Sequence, residues 1–385
     1  MPAEPKIAIC QTSRKIFRYS LVWPSEGNEL SPGISYTIKV IIFFIICGVL
    51  LFSLSTHAYL LAIKHSEFTI TEELAAVIAV GGCTYMVYAF VKNQQNIASL
   101  MRDLSDFKKF GVPPNFDKRN KNLNLGVQLL FSYTLGATIF YTGLKLSEKP
   151  ECKRISFEKG MKENNCGLIA PFWIPFDIDY FPVFQLFSLL ATFIMHSVLK
   201  MCLHISLNTF EIAHHIILRI KHLKTMVEEC FDDKRYAVSQ RKLKICITYH
   251  TEILEFASRL DTAFFQCMFG HFLLTGAICA CLEKQILDKI NVIGAVFHVL
   301  GWIMALFVAC VGGQDFLDAS EIIPNALWNS KWYQADIRLK KDVIFMLMRS
   351  QRALQIRAGP FGVLSFPLFL AVIKTSYSIL CMLSS

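Results

Sequence analysis

Charged residues are scarce in this chain, and the motifs that mark several enzyme classes are missing. Asp, Glu, Lys and Arg make up 18% of the 385 residues, whereas soluble domains usually carry about a quarter. The sequence contains no Walker loop, no zinc-binding spacing and no Gly-x-Ser-x-Gly elbow, which excludes the signatures of nucleotide hydrolases, zinc enzymes and serine hydrolases. We therefore predict a protein that is not an enzyme and that requires no cofactor.

Carboxylates are nearly absent from the long apolar segments, and the histidines are poorly placed for a metal. Proton-coupled transporters usually need buried Asp or Glu relays, and the inverted repeats of other transporters are also missing. These absences argue against a transporter without eliminating that class. Among His204, His214, His215 and His222, the adjacent His214 and His215 do not share a helical face, and no carboxylate is suitably spaced around this pair. We therefore predict no metal site.

Hydrophobic residues make up 54% of the chain and are concentrated in seven blocks. Each block is close to the length of about 20 residues that crosses a bilayer as a helix. The first 35 residues contain no secretory signal, so the first block is expected to direct insertion. We predict an all-α membrane protein with seven transmembrane helices at residues 38–63, 71–91, 125–146, 181–205, 262–282, 290–311 and 361–383.

Basic residues are distributed unevenly among the loops. The N-terminal segment and every second loop together hold 27 of the 39 Lys and Arg, and the remaining loops hold 8. Because basic residues stay on the cytoplasmic side, the N-terminus should be cytoplasmic and the C-terminus extracellular. The net charge of +9 then reflects a cytoplasmic face that meets anionic membrane lipid, and it requires no nucleic acid. The basic loops are 92–124, 206–260 and 313–357, and the others are 64–70, 147–180 and 283–289.

G-protein-coupled receptors also have seven spans, but their N-terminus is extracellular. This sequence lacks an Asp-Arg-Tyr at the exit of the third span and an Asn-Pro-x-x-Tyr in the last span. A seven-span metabotropic chemoreceptor remains an alternative, which the location of the N-terminus would distinguish.

The last sixty residues carry the most specific pattern. Trp332-Tyr333 precedes a basic and apolar stretch, and four short motifs follow: Met348-Arg349-Ser350-Gln351, Arg357-Ala358-Gly359-Pro360-Phe361, Val363-Leu364-Ser365 and Lys374-Thr375-Ser376-Tyr377-Ser378. With the inverted topology, this tail resembles that of the insect odorant receptors over roughly residues 325–385. Upstream, only span order and loop lengths match. The Thr-Tyr…Gln-Phe ending of gustatory receptors is absent, although a gustatory-type ligand-gated channel remains an alternative.

The resemblance implies a ligand-gated, non-selective cation channel in the plasma membrane of a sensory neuron. Such channels are tetramers in which a tuned odorant-binding subunit assembles with a shared co-receptor subunit, and the ligand is a small, apolar, volatile odorant. This chain resembles the tuned subunit because loop 206–260 lacks the long insertion of the co-receptor. The expected divisions are an N-terminal segment 1–37, spans 1–4 at 38–205 with outer loop 147–180, cytoplasmic helices 206–260, spans 5–6 at 261–311, an anchor segment 312–357 and a pore-lining helix 358–385.

Three segments on the predicted cytoplasmic side have amphipathic helical periodicity. They lie around Ile212–Leu223, around Arg241–Arg259 and at 335–353. A helix with one apolar stripe needs a protein partner or the lipid interface, and the residues alone leave both open. The resemblance implies that they form an anchor that holds the subunits together.

A pocket for an odorant should be mostly apolar, with one or two polar groups that orient the ligand. We expect it between spans 2, 3, 4, 5 and 6, in the outer half of the bilayer. The candidates combine aromatic, small and hydroxyl side chains on single helical faces, and each could instead pack in the core. They are Val80, Thr84, Tyr133, Gly136, Phe140, Phe184, Ser188, Thr192, Thr275, Cys279, Val296 and Phe297.

The last helix is the candidate pore lining. Ile373, Ser376, Leu380 and Leu383 follow one another at steps of three, four and three, so they share one helical face. A serine beside bulky leucines suits a wetted path that ends in a hydrophobic gate. Periodicity alone would favour packing against another span, whereas the resemblance implies a pore. Lys374 lies off this face, and we expect it near a subunit interface or an aqueous opening.

Cys152 and Cys166 differ from the other cysteines because both lie in the predicted extracellular loop 147–180. That compartment is oxidising, so we expect a disulfide that fixes a lid above the pocket, with two free thiols as the alternative. Most of the 13 cysteines lie in spans or cytoplasmic segments, where they act as small apolar residues.

Overall fold

The computed structural model describes residues 7–64, 71–158, 166–233, 235–289 and 291–384. Within these ranges the regular structure is helical, apart from one isolated bridge between Arg357 and Val363. The helices are α1 (Gln11–Tyr19), α2 (Ile34–Lys64), α3 (Thr71–Lys92), α4 (Gln94–Leu104), α5 (Phe116–Ser147), α6 (Lys149–Glu158), α7 (Val183–Glu228), α8 (Tyr236–Leu287), α9 (Val292–Ala319), α10 (Ile322–Asn329), α11 (Ile337–Ser350) and α12 (Phe366–Ser384).

The seven predicted spans correspond to α2, α3, α5, α7, α8, α9 and α12, which confirms the prediction of an all-α, seven-span chain. Six of them are long and apolar enough to cross a membrane, and α12 is apolar over Phe366–Met382 but shorter. It begins five residues later than predicted because residues 356–364 form a hairpin, in which the Ala358 N–H donates to the Gly362 carbonyl and the Leu364 N–H to the Ile356 carbonyl.

Gly359 makes this hairpin possible. Its φ of 63° lies in the left-handed region, which glycine adopts without steric cost. A Cβ at this position would lie 2.3 Å from the ring of Phe269. The Ala-Gly-Pro motif of the tail is therefore explained by a tight turn that packs against α8.

The first two predicted amphipathic helices are not separate elements. They are continuations of spans 4 and 5 within α7, which has 46 residues, and α8, which has 52. Neither helix contains a proline, and α7 also lacks glycine, so no residue interrupts the hydrogen-bond ladder where the chain leaves the apolar block. The third predicted segment is α11, whose N-terminus is capped by the Asp336 side chain accepting from the Arg338 N–H.

The central helix of the bundle is α8, which packs against α3, α7, α9 and α12. Glycines bring α3 and α8 close together, because a Cβ on Gly82 would lie 2.4 Å from Leu274 and one on Gly270 would lie 2.6 Å from Tyr85. Close approach over small residues is how membrane helices gain packing contacts. In contrast, 61% of the apolar window of α8 is buried but only 11% of that of α5, so α5 lies at the periphery.

The N-terminal segment packs onto the inner end of the bundle, where α3 ends. Phe17 of α1 and Trp23 surround Phe90 of α3, with ring centroids 4.7 and 5.8 Å from that of Phe90. The Ser13 hydroxyl donates to Glu211 of α7, and burial raises the pKa of Glu211 to about 7. This segment therefore belongs to the folded inner end.

A buried arginine joins α7 to the end of α4. Arg219 is 1% exposed, and its guanidinium donates to the carbonyls of Leu104 and Asp106, at 2.9 Å each. The rings of Phe107 and Phe256 lie 5.2 and 5.5 Å from it. Because the last carbonyls of a helix have no partner within the helix, Arg219 satisfies groups that would otherwise be buried and unpaired.

Two further ion pairs lie at the inner end. Arg259 of α8 donates to Asp103 at 2.8 Å. Asp261 of α8 accepts from Arg357 three times, through the backbone N–H and two guanidinium nitrogens, at 2.6 to 2.8 Å. The arginine of the tail motif therefore fixes the hairpin that leads into α12 against α8.

Candidate ligand-binding site

A cavity of about 210 Å³ lies between α3, α5, α7, α8 and α9. It is near the outer end of the bundle, defined here as the end where α3 and α9 begin, which the basic-residue count predicts to be extracellular. Small residues create the space, including Ala75 and Ala79 of α3 and Gly294, Gly301 and Ala305 of α9. A Cβ added to Gly301 would meet no atom within 4 Å, so this glycine faces open space.

Polar groups at the outer rim of the cavity are paired with one another. The Lys145 ammonium donates to Glu72 at 3.0 Å. The Asn291 amide donates to the Tyr141 hydroxyl at 2.7 Å and to the same Glu72 oxygen at 3.3 Å. These four side chains, which come from α3, α5 and the residue preceding α9, close the rim and need no further partner.

The deep end of the cavity has polar groups that are not paired. The Thr138 hydroxyl donates to the Thr134 carbonyl at 2.8 Å, so its oxygen must accept from His196 Nδ1, 3.1 Å away. In the neutral imidazole the lone pair then lies on Nε2, which is buried and has no partner in the described ranges. One turn further along α7, Lys200 also lines the cavity.

Two more polar residues line the cavity from α8 and α9. The Trp302 indole N–H donates to His298 Nε2 at 3.1 Å, which orients both rings. The side-chain nitrogen of Gln285 is buried without a partner in the part of the chain that the structure describes. Buried polar groups are normally hydrogen-bonded, so the unpaired atoms of Gln285 and His196 mark places where a ligand or water could bind.

A disulfide joins Cys152 of α6 to Cys166. Three residues beyond Cys166, the segment 169–171 forms part of the cavity lining, as expected for a lid above a pocket. Lys149 and Asp179 add an ion pair to the same loop at 2.7 Å, and hydrogen bonding to the Lys149 ammonium lowers the pKa of Asp179. The roof of the cavity is thus tied covalently and electrostatically to the outer end of α5 through α6.

Of the predicted ligand-binding residues, Tyr133 and Phe297 line this cavity. Phe140 packs on Phe297, with ring centroids 5.3 Å apart, but does not line it. None of the remaining nine, all within the described ranges, lines it either. Gly136 and Val296 are exposed on the outside of the bundle and Thr84 and Thr192 are half-buried, whereas the others are buried between helices: Val80, Phe184, Ser188, Thr275 and Cys279. Their role in binding stays a prediction.

Sequence reasoning missed His196, Lys200, His298 and Gln285 as lining residues. A signal for two of them was present, because His196 and Lys200 are polar, lie inside an apolar span, and are four residues apart on one helical face. No comparable signal singled out the small residues of α3 and α9, since alanine and glycine are common throughout membrane helices.

The predicted pore residues lie on α12 as follows. Ser376 is fully buried and donates to Glu283 of α8 at 3.3 Å, while Ile373 and Leu380 are half-buried. The side chain of Leu383 is outside the described residues. The side of α12 that this chain leaves open carries residues such as Thr375 and Ser378. The assignment of the pore face stays a prediction.

A wider cleft of about 740 Å³ lies at the inner end, between α5, α7 and α9. Basic Lys118 and Arg119 and acidic Asp318 line it, and His214 Nε2 lies 3.1 Å from Asp315 within it. Because the lining has charges of both signs, the cleft does not select an ion of either sign. Among the described residues, no group of three or more His, Cys, Asp or Glu is close enough to hold a metal ion.

Known proteins resemble this chain in fold and, more weakly, in sequence. The insect olfactory receptor OR5 from Machilis hrabei in complex with eugenol superposes with a TM-score of 0.73 over 96% of both chains, at 14% identity. The structure of that receptor described without eugenol superposes with the same TM-score, at 12% identity. At this level of identity the likeness shows the fold alone.

Sequence comparison gives the family. Odorant receptor 22c of Drosophila melanogaster is 26% identical over 203 residues, which are 52% of this chain and 49% of that protein. Odorant receptor 24a of the same species is 23% identical over 147 residues, 38% of this chain and 37% of that protein. The chain thus aligns with about half or less of the length of these relatives. The family profile described as 7tm Odorant receptor, however, matches residues 67–377, and the chain belongs to this family.

Proposed function

We propose that this chain is the odorant-binding subunit of a ligand-gated, non-selective cation channel, and that its ligand binds in the cavity between α3, α5, α7, α8 and α9. The observation that carries the proposal is the cavity, an apolar space under a disulfide-tied roof. Concave, mostly apolar sites with a few polar groups are typical of small-molecule binding. Family membership and the eugenol complex of the Machilis receptor support the proposal.

The size of the cavity suits a small volatile molecule. An engineered apolar cavity of about 150 Å³ holds benzene, so the 210 Å³ found here fits a molecule somewhat larger than benzene. The lining residues are mostly Ala, Gly, Leu, Met and aromatic side chains, which favour an apolar body.

Contacts from α8 and α9 connect the cavity to the proposed pore helix. Leu282 of α8 lines the cavity, and its neighbour Glu283 accepts from Ser376 of α12. On α9, the ring of Phe307 lies 5.5 Å from that of Phe369 of α12. A ligand that displaces the outer ends of α8 and α9 would therefore act on α12 through direct contacts, and we propose that this opens the channel.

We propose further that the chain assembles with a co-receptor subunit, in a tetramer, in the plasma membrane of a sensory neuron. Apolar side chains on α11 support an interface at the inner end. Ile337, Phe345 and Met348 are 66%, 71% and 62% exposed, in a segment outside the predicted spans where lipid tails do not cover them. Exposed apolar patches of this kind mark protein–protein contacts.

The pore proposal assigns the gate to Leu380 on α12. A polar side chain at a hydrophobic constriction lowers the cost of wetting the closed pore. Leu380→Asn, co-expressed with a co-receptor, should therefore give a leak current without odorant, whereas Leu370→Asn, on a different and exposed face, should not. Normal basal current and ion selectivity in Leu380→Asn at normal surface expression would reassign the pore to the open side of α12, where Thr375 and Ser378 lie.

A pair of glycine substitutions tests the binding cavity. Gly301 faces the cavity and Gly136 lies on the exposed side of α5, and a Cβ at either position meets no atom within 4 Å. Gly301→Leu should fill the cavity and reduce odorant-evoked current by about tenfold or more, because a ligand cannot share that volume. Gly136→Leu should leave the response unchanged. The opposite pattern, at equal surface expression, would place the ligand near the exposed side of α5.

A further inference from the structure

The deep end of the cavity contains a positive charge with no counter-ion among the residues that the structure describes. Lys200 lies within the apolar part of α7 and lines the cavity. No ion pair in the described ranges includes it, and the face of Phe131, 5.6 Å from Nζ, is the aromatic surface near it. An aromatic face attracts a cation but provides no hydrogen-bond acceptor. The carboxylate at the rim, Glu72, is already paired with Lys145.

A second unsatisfied group lies beside Lys200. His196 is four residues earlier on the same helix, so the Cβ atoms of the two residues are about 5–6 Å apart. Its ring nitrogen Nε2 carries a lone pair and is buried without a partner in the described part of the chain. The deep end therefore presents an ammonium donor next to an imidazole acceptor, inside an otherwise apolar cavity.

We propose that the deep end of the cavity binds the carboxyl group of a small carboxylic acid, with Lys200 as its counter-ion and His196 beside it. This rests on the proposed function, because it assigns chemistry to the ligand of the same cavity. The acid enters the cavity with its own proton, which lies between one carboxyl oxygen and the lone pair of His196 Nε2. The other carboxyl oxygen accepts from the Lys200 ammonium, so the step needs no proton from elsewhere. A hydrogen bond in which the donor or the acceptor is charged is about twice as strong as one between neutral groups.

The cavity also limits the length and volume of the apolar chain of the proposed acid. From Leu130 to Tyr141, both cavity-lining residues of α5, the helix rises by about 16 Å, which gives the length over which an apolar chain can extend. The small side chains of α3 and α9 surround this length. The volume of 210 Å³ suits an acid of medium chain length and excludes a membrane fatty acid such as hexadecanoic acid.

The first test compares ligands that differ only in the polar end. The full-length chain in detergent would be titrated with octanoic acid, octanol and methyl octanoate, and binding read from the shift in its melting temperature. Octanoic acid should bind about tenfold more tightly than the other two. Equal affinities for the three would overturn the proposal. If hexadecanoic acid binds more tightly than octanoic acid, the carboxylic acid of this site comes from membrane lipid and is not a small acid.

The second test uses a matched pair of lysines. Lys200→Met should reduce the preference for octanoic acid over octanol to about twofold or less, while Lys200→Arg should retain most of the preference. Lys374→Met, on the exposed side of α12 away from the cavity, is the control and should change nothing. An unchanged preference in Lys200→Met would overturn the assignment. If that variant is not recovered, the wild-type comparison of acid, alcohol and ester decides.

These tests separate the inference from the proposed function. If octanol or methyl octanoate binds and Gly301→Leu abolishes that binding, the cavity is the ligand site even when the acid has no advantage. If no compound of the series binds, and Gly301→Leu leaves odorant-evoked currents intact, the cavity is not the ligand site and both proposals fail.

Discussion

The inner end of the bundle and the cavity of its outer half differ in what their buried charges contact. At the inner end, buried or half-buried charges contact fixed partners: Arg219 meets backbone carbonyls, and Asp261 meets Arg357. In the outer half, the cavity lining contains a lysine with no counter-ion among the described residues, and buried nitrogens of His196 and Gln285 with no partner there. The inner end also has buried side-chain atoms without a partner in the described ranges, among them Arg219 Nη1 and His215 Nε2. The two regions therefore differ in their charges, because the buried charges of the inner end contact fixed partners and the lysine of the cavity does not.

The same contrast extends to packing. The aromatic cluster of Phe17, Trp23 and Phe90 fills the inner end, and the extensions of α7 and α8 are closely packed there. The outer half contains open space beside Gly301 and is closed by a loop that depends on a disulfide. Regions of lower local stability are those that move when ligands bind, so we expect motion in the outer half and rigidity in the inner end.

Replacing Arg219 should have the largest effect on the difference in stability between the inner end and the outer half. Arg219→Met leaves the carbonyls of Leu104 and Asp106 buried and unpaired, at about 1–3 kcal/mol each, so we expect a loss of about 2–6 kcal/mol and poor surface expression. Thermal melting of the detergent-solubilised protein measures it. Lys221→Met, an exposed position on the same helix, is the control. A melting temperature equal to that of the wild type would show that the inner end does not depend on this contact.

Breaking the disulfide should affect the outer half alone. Cys152→Ser should lower stability by about 2–3 kcal/mol, since closing a loop of this length limits the unfolded chain, and it should weaken ligand binding by loosening the roof. Hydrogen–deuterium exchange should rise at residues 166–171 and stay unchanged around Arg219. Cys381→Ser, which removes an exposed thiol of α12, is the control. Faster exchange at both ends would mean that the two regions are not independent.

The pH dependence of the inner end should be the smallest effect. Burial raises the pKa of Glu211 from its ordinary value of 4.5 to about 7, so the folded chain holds this proton more tightly than the unfolded chain. The stability from this group is fully present below about pH 4.5 and is lost as the pH rises through about 7. Glu211→Gln should therefore flatten the decline of melting temperature between about pH 4.5 and pH 7. The exposed Glu228→Gln is the control, and an unchanged slope in Glu211→Gln would contradict the assignment.

The sequence predicted the spans well because crossing a bilayer requires long apolar runs, which are visible in any single chain. It predicted ligand residues less well. Tyr133 and Phe297 reach the cavity, but Gly136 lies on the outside of α5 and Thr275 in the packing of α8. Each face of a membrane helix can be apolar, whether it meets lipid or protein, so periodicity does not reveal which way a span is rotated.

The sequence by itself determined the helical class, the number of spans, the cysteine pair of the outer loop and the tail that marks the family. Only the tertiary structure decided which residues meet. Glycine contacts such as Gly82 with Leu274 set the rotation of α3 against α8, and this rotation directs Ala75 and Ala79 into the cavity. It also brought Lys200 and His196 to the deep end of that cavity, because a site between five helices depends on the packing of all of them and not on the pattern within one.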